Sequence, residues 1–166
     1  MKFIIINLCL PLFLYLLTIL DLRKVIAIGC DHAGFILKEY LKKELGAVGI
    51  EFQDFGTFSE ASVDYPDYIH PLARAINKGE YTEGIIICGS ANGVAMVANK
   101  YENVRAAICW NEEVVKLARQ HNNANIIALP ARFITKEEAL DFVRLFFSTT
   151  FEGGRHERRV EKIPPH

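Results

Sequence analysis

No C-x-x-C pair occurs among the four cysteines, Cys9, Cys30, Cys88 and Cys109, and no histidine pair stands at zinc-finger spacing. Neither a redox dithiol nor a structural zinc site is signalled. A metal centre would need Cys30, Cys88 and Cys109 to converge on a histidine, whereas small apolar thiols at strand ends read as core filling in a reducing compartment. Charge of one sign is missing too. Nineteen Lys plus Arg stand against 20 Asp plus Glu, which removes the electrostatic footprint of a binder of nucleic acid or anionic membrane. No G-x-G-x-x-G follows the first strand pattern, and Gly29 to Gly34 runs into Phe35, not into the Lys and Ser or Thr of a P-loop. Dinucleotide and triphosphate cofactors are therefore disfavoured, and the expected ligand is a small molecule handled without cofactor or metal.

One long apolar run is present, from Phe3 to Leu20. It has the length of a membrane span or signal core. Thr18-Ile19-Leu20-Asp21-Leu22 offers no small-residue cleavage site, and only a few residues separate the run from the first strand. A start codon assigned too far upstream is the favoured explanation over an exported or anchored chain, so the expected location is cytoplasmic, with membrane contact only if the segment is retained. The chain divides into this extension (1–22), one α/β domain (23–148) and a basic tail (149–166), a length that supports one core.

From Val25 onward short apolar runs alternate with amphipathic stretches, the pattern of a parallel sheet with crossover helices. Strands are expected at 25–29, 49–55, 85–88, 105–109 and 125–129, and helices at 35–45, 65–77, 92–100, 112–120 and 136–147. Ile85-Ile86-Ile87-Cys88 is apolar on both faces and belongs at the sheet centre. The fold class is a single Rossmann-like three-layer domain with a five-stranded parallel sheet. The tail's Glu152-Gly153-Gly154 suggests a segment that leaves its own domain to complete a neighbour's surface.

In such sheets ligands bind beyond the carboxyl ends of the strands. The residues there include Cys30, Asp31 and His32 after the first strand, the loop Cys88-Gly89-Ser90-Ala91-Asn92-Gly93 after the third, and Arg132 after the fifth. Two glycines around a turn into a helix start make an anion-receiving loop, and a cysteine there is a candidate base or nucleophile as well as a candidate core residue. Asp31 also fits a plain helix N-cap, and His121 a plain C-terminal cap. Arg155, His156, Arg158 and Arg159 read either as a solvated tail or as a phosphate clamp.

Gly29-Cys30-Asp31-His32-Ala33-Gly34, Asp64-Tyr65-Pro66, Cys88-Gly89-Ser90, Ala98-Asn99-Lys100, Arg119-Gln120-His121-Asn122 and Glu152-Gly153-Gly154-Arg155-His156 stand in an order and spacing that closely resemble the ribose-5-phosphate isomerase B family. The likeness runs from about Lys24 to Ile163. It implies a metal-free aldose–ketose isomerase of the pentose phosphate pathway. Cys88 would be the C2 base, Ser90 a proton shuttle between O1 and O2, and Asp31 and His121 would open the furanose ring. Gly89, Asn92, Gly93 and Asn122 would stabilise the enediolate. His32, Arg132, Arg155 and Arg159 would hold the phosphate, and Tyr65 would line the sugar site. It also implies a homodimer or homotetramer with shared active sites. A hexose 6-phosphate (allose or galactose) is the alternative substrate, and a non-catalytic phosphosugar-binding protein the alternative of another class. Two positions depart from the family pattern, Ala91 for a loop glycine and Asn123 for an aspartate. A negative φ or slight strain is expected at Ala91.

Overall fold

The computed structural model describes residues 25–164; the apolar run and its three readings lie outside them. Among the described residues no helix is long and apolar enough to cross a membrane. Strands β1 (Ile26–Cys30), β2 (Phe52–Asp54), β3 (Gly84–Cys88), β4 (Ala106–Ile108) and β5 (Ile126–Pro130) form one parallel sheet in the order β2-β1-β3-β5-β4. Helices α1 (Phe35–Gly46), α2 (Tyr65–Asn77), α3 (Asn92–Ala98), α4 (Glu112–Gln120) and α5 (Lys136–Ser148) cover its two faces, and a short α6 (Glu157–Val160) follows. This is the expected three-layer α/β arrangement, with β3 central.

The strand period of two sorts the core. Ile85 and Ile87 face the layer of α1, α4 and α5, with Leu41, Leu45, Val115 and Phe146. Ile86 and Cys88 face the layer of α2 and α3, with Ile69, Leu72 and Val94. Helix starts follow local chemistry. Pro66 sits in the first turn of α2, the Asn111 side chain accepts from Val114 N–H at 2.9 Å, and Thr135 and Glu138 form a reciprocal capping box on α5.

One expectation needs correction, and another resolves to one of its two outcomes. The second strand is three residues long, not 49–55: Gly49 takes φ 90° and the Ile50 N–H closes on Leu45 O at 3.2 Å, so both finish α1. Ala91 has φ 64° and ψ −15°, left-handed, which is the slight strain and not the negative φ of the two outcomes expected there. The chain must reverse from β3 into α3 within three residues, and this conformer lets Ala91 O accept the first helical bond, from Ala95 N–H at 3.1 Å. An alanine held there costs on the order of 1 kcal/mol. Its side chain is fully buried, which offsets part of that cost.

A buried ammonium links α1 to β2. Lys38 continues the apolar stripe of Leu41 and Leu45 and is fully buried. Its three donors reach both Asp54 carboxylate oxygens and Thr57 O, each at 2.7 Å. Lys42 adds a second bond to Asp54 Oδ2 at 2.7 Å. Burial pushes the Asp54 carboxyl up, but the bonds from Lys38, Lys42 and Gly56 N–H outweigh it and hold the group below the usual carboxylate range. Lys38→Met would leave Asp54 with one ion partner and Thr57 O without its donor, so unfolding free energy should fall by about 3 kcal/mol. Because the folded Asp54 value is depressed, its contribution is complete above the unfolded value of about 3.9 and is lost as pH falls through the lower folded value. Urea unfolding at fixed protein concentration should therefore show the parent losing stability on acidification where Lys38→Met loses less.

Candidate active site

The carboxyl ends of β1 and β3 diverge into helices on opposite faces, and a cleft of about 400 Å³ opens between them. Asp31, His32 and Ala33 line it from the β1 side, Cys88, Gly89, Ser90 and Gly93 from the β3 loop, Tyr65 from the start of α2, and Arg132 and Phe133 from the end of β5. Its size suits a small ligand.

Each wall is fixed by a nameable contact. Asp31 Oδ1 accepts from Ala33 N–H at 2.9 Å and Gly34 N–H at 3.1 Å, which caps the turn and leaves Oδ2 outside the capping bonds. Val63 N–H donates to His32 Nδ1 at 3.3 Å, so the neutral ring carries its proton on Nε2 as a donor. The β3 loop is tied to the end of β5 by Ala131 N–H to Cys88 O at 2.9 Å and Arg132 N–H to Gly89 O at 3.1 Å. Gly89 admits the Arg132 side chain: a Cβ there would lie 3.2 Å from Nε. Gly93 likewise admits the Tyr65 ring, which a Cβ would meet at 2.7 Å. Ser90 is exposed, and its Oγ accepts weakly from Asn92 N–H at 3.4 Å.

The three described thiols separate by environment. Burial pushes Cys30 up to about 12, against the pull of Lys38, and burial alone pushes Cys109 up to about 12. Both stay protonated at neutral pH. Cys88 ends the central strand, 5 % exposed, and reaches the cleft beside the first turn of α3.

His121, Asn122 and Arg159 line a different cleft, of about 280 Å³, with His156, Val160 and Ile163. Thus Cys88, Ser90, Asp31, His32, Tyr65, Gly89, Gly93 and Arg132 come together, while His121, Asn122 and Arg159 do not join them within one chain. Asn92 borders an adjoining groove with Ser90, Trp110 and Phe133. Arg155 turns to His156, its Nε donating to Nε2 at 3.2 Å. The tail rests on its own domain over this stretch: Glu152 N–H bonds to Gln120 O at 3.1 Å and the His156 ring stacks on His121 with centroids 4.0 Å apart and planes 5° from parallel.

Sequence reasoning missed three participants. Phe133 lines the Cys88 cleft and the adjoining groove at the sheet edge, 74 % exposed, and its signal was an aromatic directly after Arg132. Lys38, a lysine inside an apolar helical stripe, supports the loop that reaches His32. Glu152 faces His121 Nε2 at 3.7 Å and lay in a segment read for its exit from the domain and for its arginines, not for its carboxylate.

Comparison with known proteins agrees with this geometry. The Ribose/Galactose Isomerase family matches residues 26–163. Ribose-5-phosphate isomerase B of Escherichia coli (strain K12) is 42 % identical over 140 residues, 84 % of this chain and 94 % of that protein. The crystal structure of a ribose 5-phosphate isomerase from Thermotoga maritima superposes with a TM-score of 0.82 at 50 % identity, covering 85 % of this chain and 97 % of that one. The structure of ribose-5-phosphate isomerase B from Mycoplasma genitalium with bound ribulose-5-phosphate gives 0.81 at 40 % identity, covering 86 % and 95 %. With the expected sheet, the cleft at its switch point and this match over almost all the described residues, the chain belongs to the ribose/galactose isomerase family.

Proposed function

We propose that the protein interconverts ribose 5-phosphate and ribulose 5-phosphate through a cis-enediolate, with Cys88 as base. The observation that carries this reading is the meeting of Cys88 and Ser90 with His32 and Arg132 in one cleft, a base and a hydroxyl beside two nitrogen donors suited to an anion. Ring opening breaks the bond between C1 and the ring oxygen; the O1 proton leaves and the ring oxygen gains one, with Asp31 and His121 assisting. The Cys88 thiolate then takes the C2 proton, and the electron pair moves into the C1–C2 double bond as the carbonyl at C1 becomes an oxyanion. Ser90 moves a proton from O2 to O1, and the thiol returns its proton to C1 to give the ketose. Backbone N–H groups at the start of α3, with Asn122, stabilise the oxyanion.

Two copies of the chain would complete each site. His121, Asn122 and Arg159 sit in a second cleft that shares no residue with the first, so the assignment needs the second cleft of a partner copy to face the Cys88 cleft. Met96, Trp110 and Phe133, 66 %, 54 % and 74 % exposed, border the grooves beside Ser90 and Asn92. Apolar surface of this kind is stabilised when covered. Arg155 and Arg159 would then join His32 and Arg132 around the phosphate.

Turnover of ribose 5-phosphate, measured beside allose and galactose 6-phosphates, tests the substrate; faster turnover of a hexose phosphate would overturn the pentose assignment. Cys88→Ala should lower kcat on the order of a thousandfold with KM little changed. Unchanged turnover would remove Cys88 as base, and no turnover by the parent would favour a binding protein. Complementation tests sharing. Cys88→Ala and His121→Ala, each inactive alone, should regain about a quarter of parental activity when refolded together in equal amounts as dimers, because half the dimers are mixed and each mixed dimer holds one intact site. No recovery in mixed dimers shown to form would place the whole site in one chain.

A further inference from the structure

The stacked pair of imidazoles in the second cleft contains more than the isomerisation scheme uses. His156 is buried, and its Nε2 accepts from Arg155 Nε at 3.2 Å. An arginine only donates, so Nε2 of His156 holds no proton, and the neutral ring carries its hydrogen on Nδ1. The Glu152 carboxylate stands 3.6 Å from His156 Nε2 and 3.7 Å from His121 Nε2. With the His156 nitrogen already occupied as an acceptor, that contact is not an ion pair, and His121 is the ring with a proton to offer Glu152. Glu152 is itself held by its backbone N–H, which bonds to Gln120 O one residue before His121. Burial, with the positive charge of His121, Arg155 and Arg159, pushes the His156 imidazole below the ordinary histidine range against the pull of Glu152.

We infer that Glu152 and His156 are positioning residues for His121: the His156 ring, its Nε2 engaged as an acceptor by Arg155, fixes the plane of His121 by stacking, and Glu152 confines the proton to His121 Nε2. The inference rests on the role proposed above for His121. The three ligand atoms lie within 4.8 Å of one another and also outline a cation site. A metal would have to displace Arg155, and parallel rings point their lone pairs side by side rather than at one centre. The proton-holding arrangement fits the contacts as they stand.

Nitrogen-15 NMR of the imidazoles in the unsubstituted protein reads the assignment directly. His156 should appear as the Nδ1–H tautomer and His121 with its proton on Nε2; the reverse pattern overturns the inference. Glu152→Gln should redistribute the His121 signal between tautomers and lower kcat about tenfold, with KM for ribose 5-phosphate changed less than about twofold and Glu152→Asp recovering part of the loss. Glu152 is half exposed, so the substitution should not disturb folding. His156→Phe keeps a flat neutral ring and should retain kcat within about threefold; a loss as large as that of His121→Ala would make His156 the proton carrier instead. His121→Ala separates the two levels. If it turns over normally, the role of His121 in the isomerisation fails, whereas an inactive His121→Ala beside an unaltered Glu152→Gln, in both rate and spectrum, defeats this inference alone.

Discussion

The divergence of β1 and β3 is the constraint from which the rest of the molecule follows. Both strands run the same way and pair directly, with Cys30 opposite Ile87, yet the chain leaves β1 for α1 on one face of the sheet and leaves β3 for α3 on the other. Nothing can fill the gap at their carboxyl ends except the loops themselves, so the backbone there stays open to a ligand. β5 closes the third side, because its pairing with β3 sets Cys88 opposite Pro130 and thereby brings Arg132 to the same edge. The cleft is a property of topology first; side chains give it chemistry second.

That topology also sorts cysteine chemistry. Cys30, on the neighbouring strand end, and Cys109, just past β4, point into the layer of α1, α4 and α5, where burial keeps each thiol protonated. Cys88 points to the other layer, at a strand end that opens into a loop held off by glycine. The opposite wall depends on charge rather than apolar packing. Lys38, fully buried, fixes Asp54 and Thr57, and the chain that continues from Thr57 delivers Val63 N–H to His32. A buried ion pair is weak evidence of net stability. Here it also sets where a loop begins, and that loop determines which nitrogen of His32 is a donor.

The sheet, its order of chemistry along the edge and most helix limits were legible in the sequence, because local signals there agree with the tertiary outcome. Tyr65–Asn77 and Glu112–Gln120 appear with the limits read from the apolar period and, for the first, from Pro66. What was missed or left open shares a physical cause: each case depends on what a neighbouring segment does. The left-handed Ala91 follows from the distance between β3 and α3, not from alanine's preferences. The short β2 reflects a turn after α1 that takes in Gly49 and Ile50. Lys38 reads as a surface lysine until Asp54 is placed beneath it, and Glu152 reads as part of an arginine motif until His121 is placed beside it. The grouping of Asp31, His32, Cys88, Ser90 and Arg132 was legible as a list, but the separation of His121, Asn122 and Arg159 into a second cleft was not, since spacing along a chain does not tell which cleft a residue enters.

That separation ties the proposed chemistry to assembly. A base at Cys88 can deprotonate a sugar only if an acid reaches the ring oxygen and cations reach the phosphate, and in one chain the acid and two of the arginines stand in or beside another cleft. An enzyme divided in this way has no working site as a monomer, so the free energy that covers Trp110, Phe133 and Met96 would also be the free energy that assembles the reacting groups. Two copies would not need to be flexible to achieve this. Each half is rigid on its own account, one by the bonds between the β3 and β5 loops, the other by the stack of His121 on His156 and the bond from Glu152 to Gln120. Rigid halves meeting at one fixed interface would hold acid, base and anion donors in register without a closing lid, and the proposed rate advantage would come from that positioning.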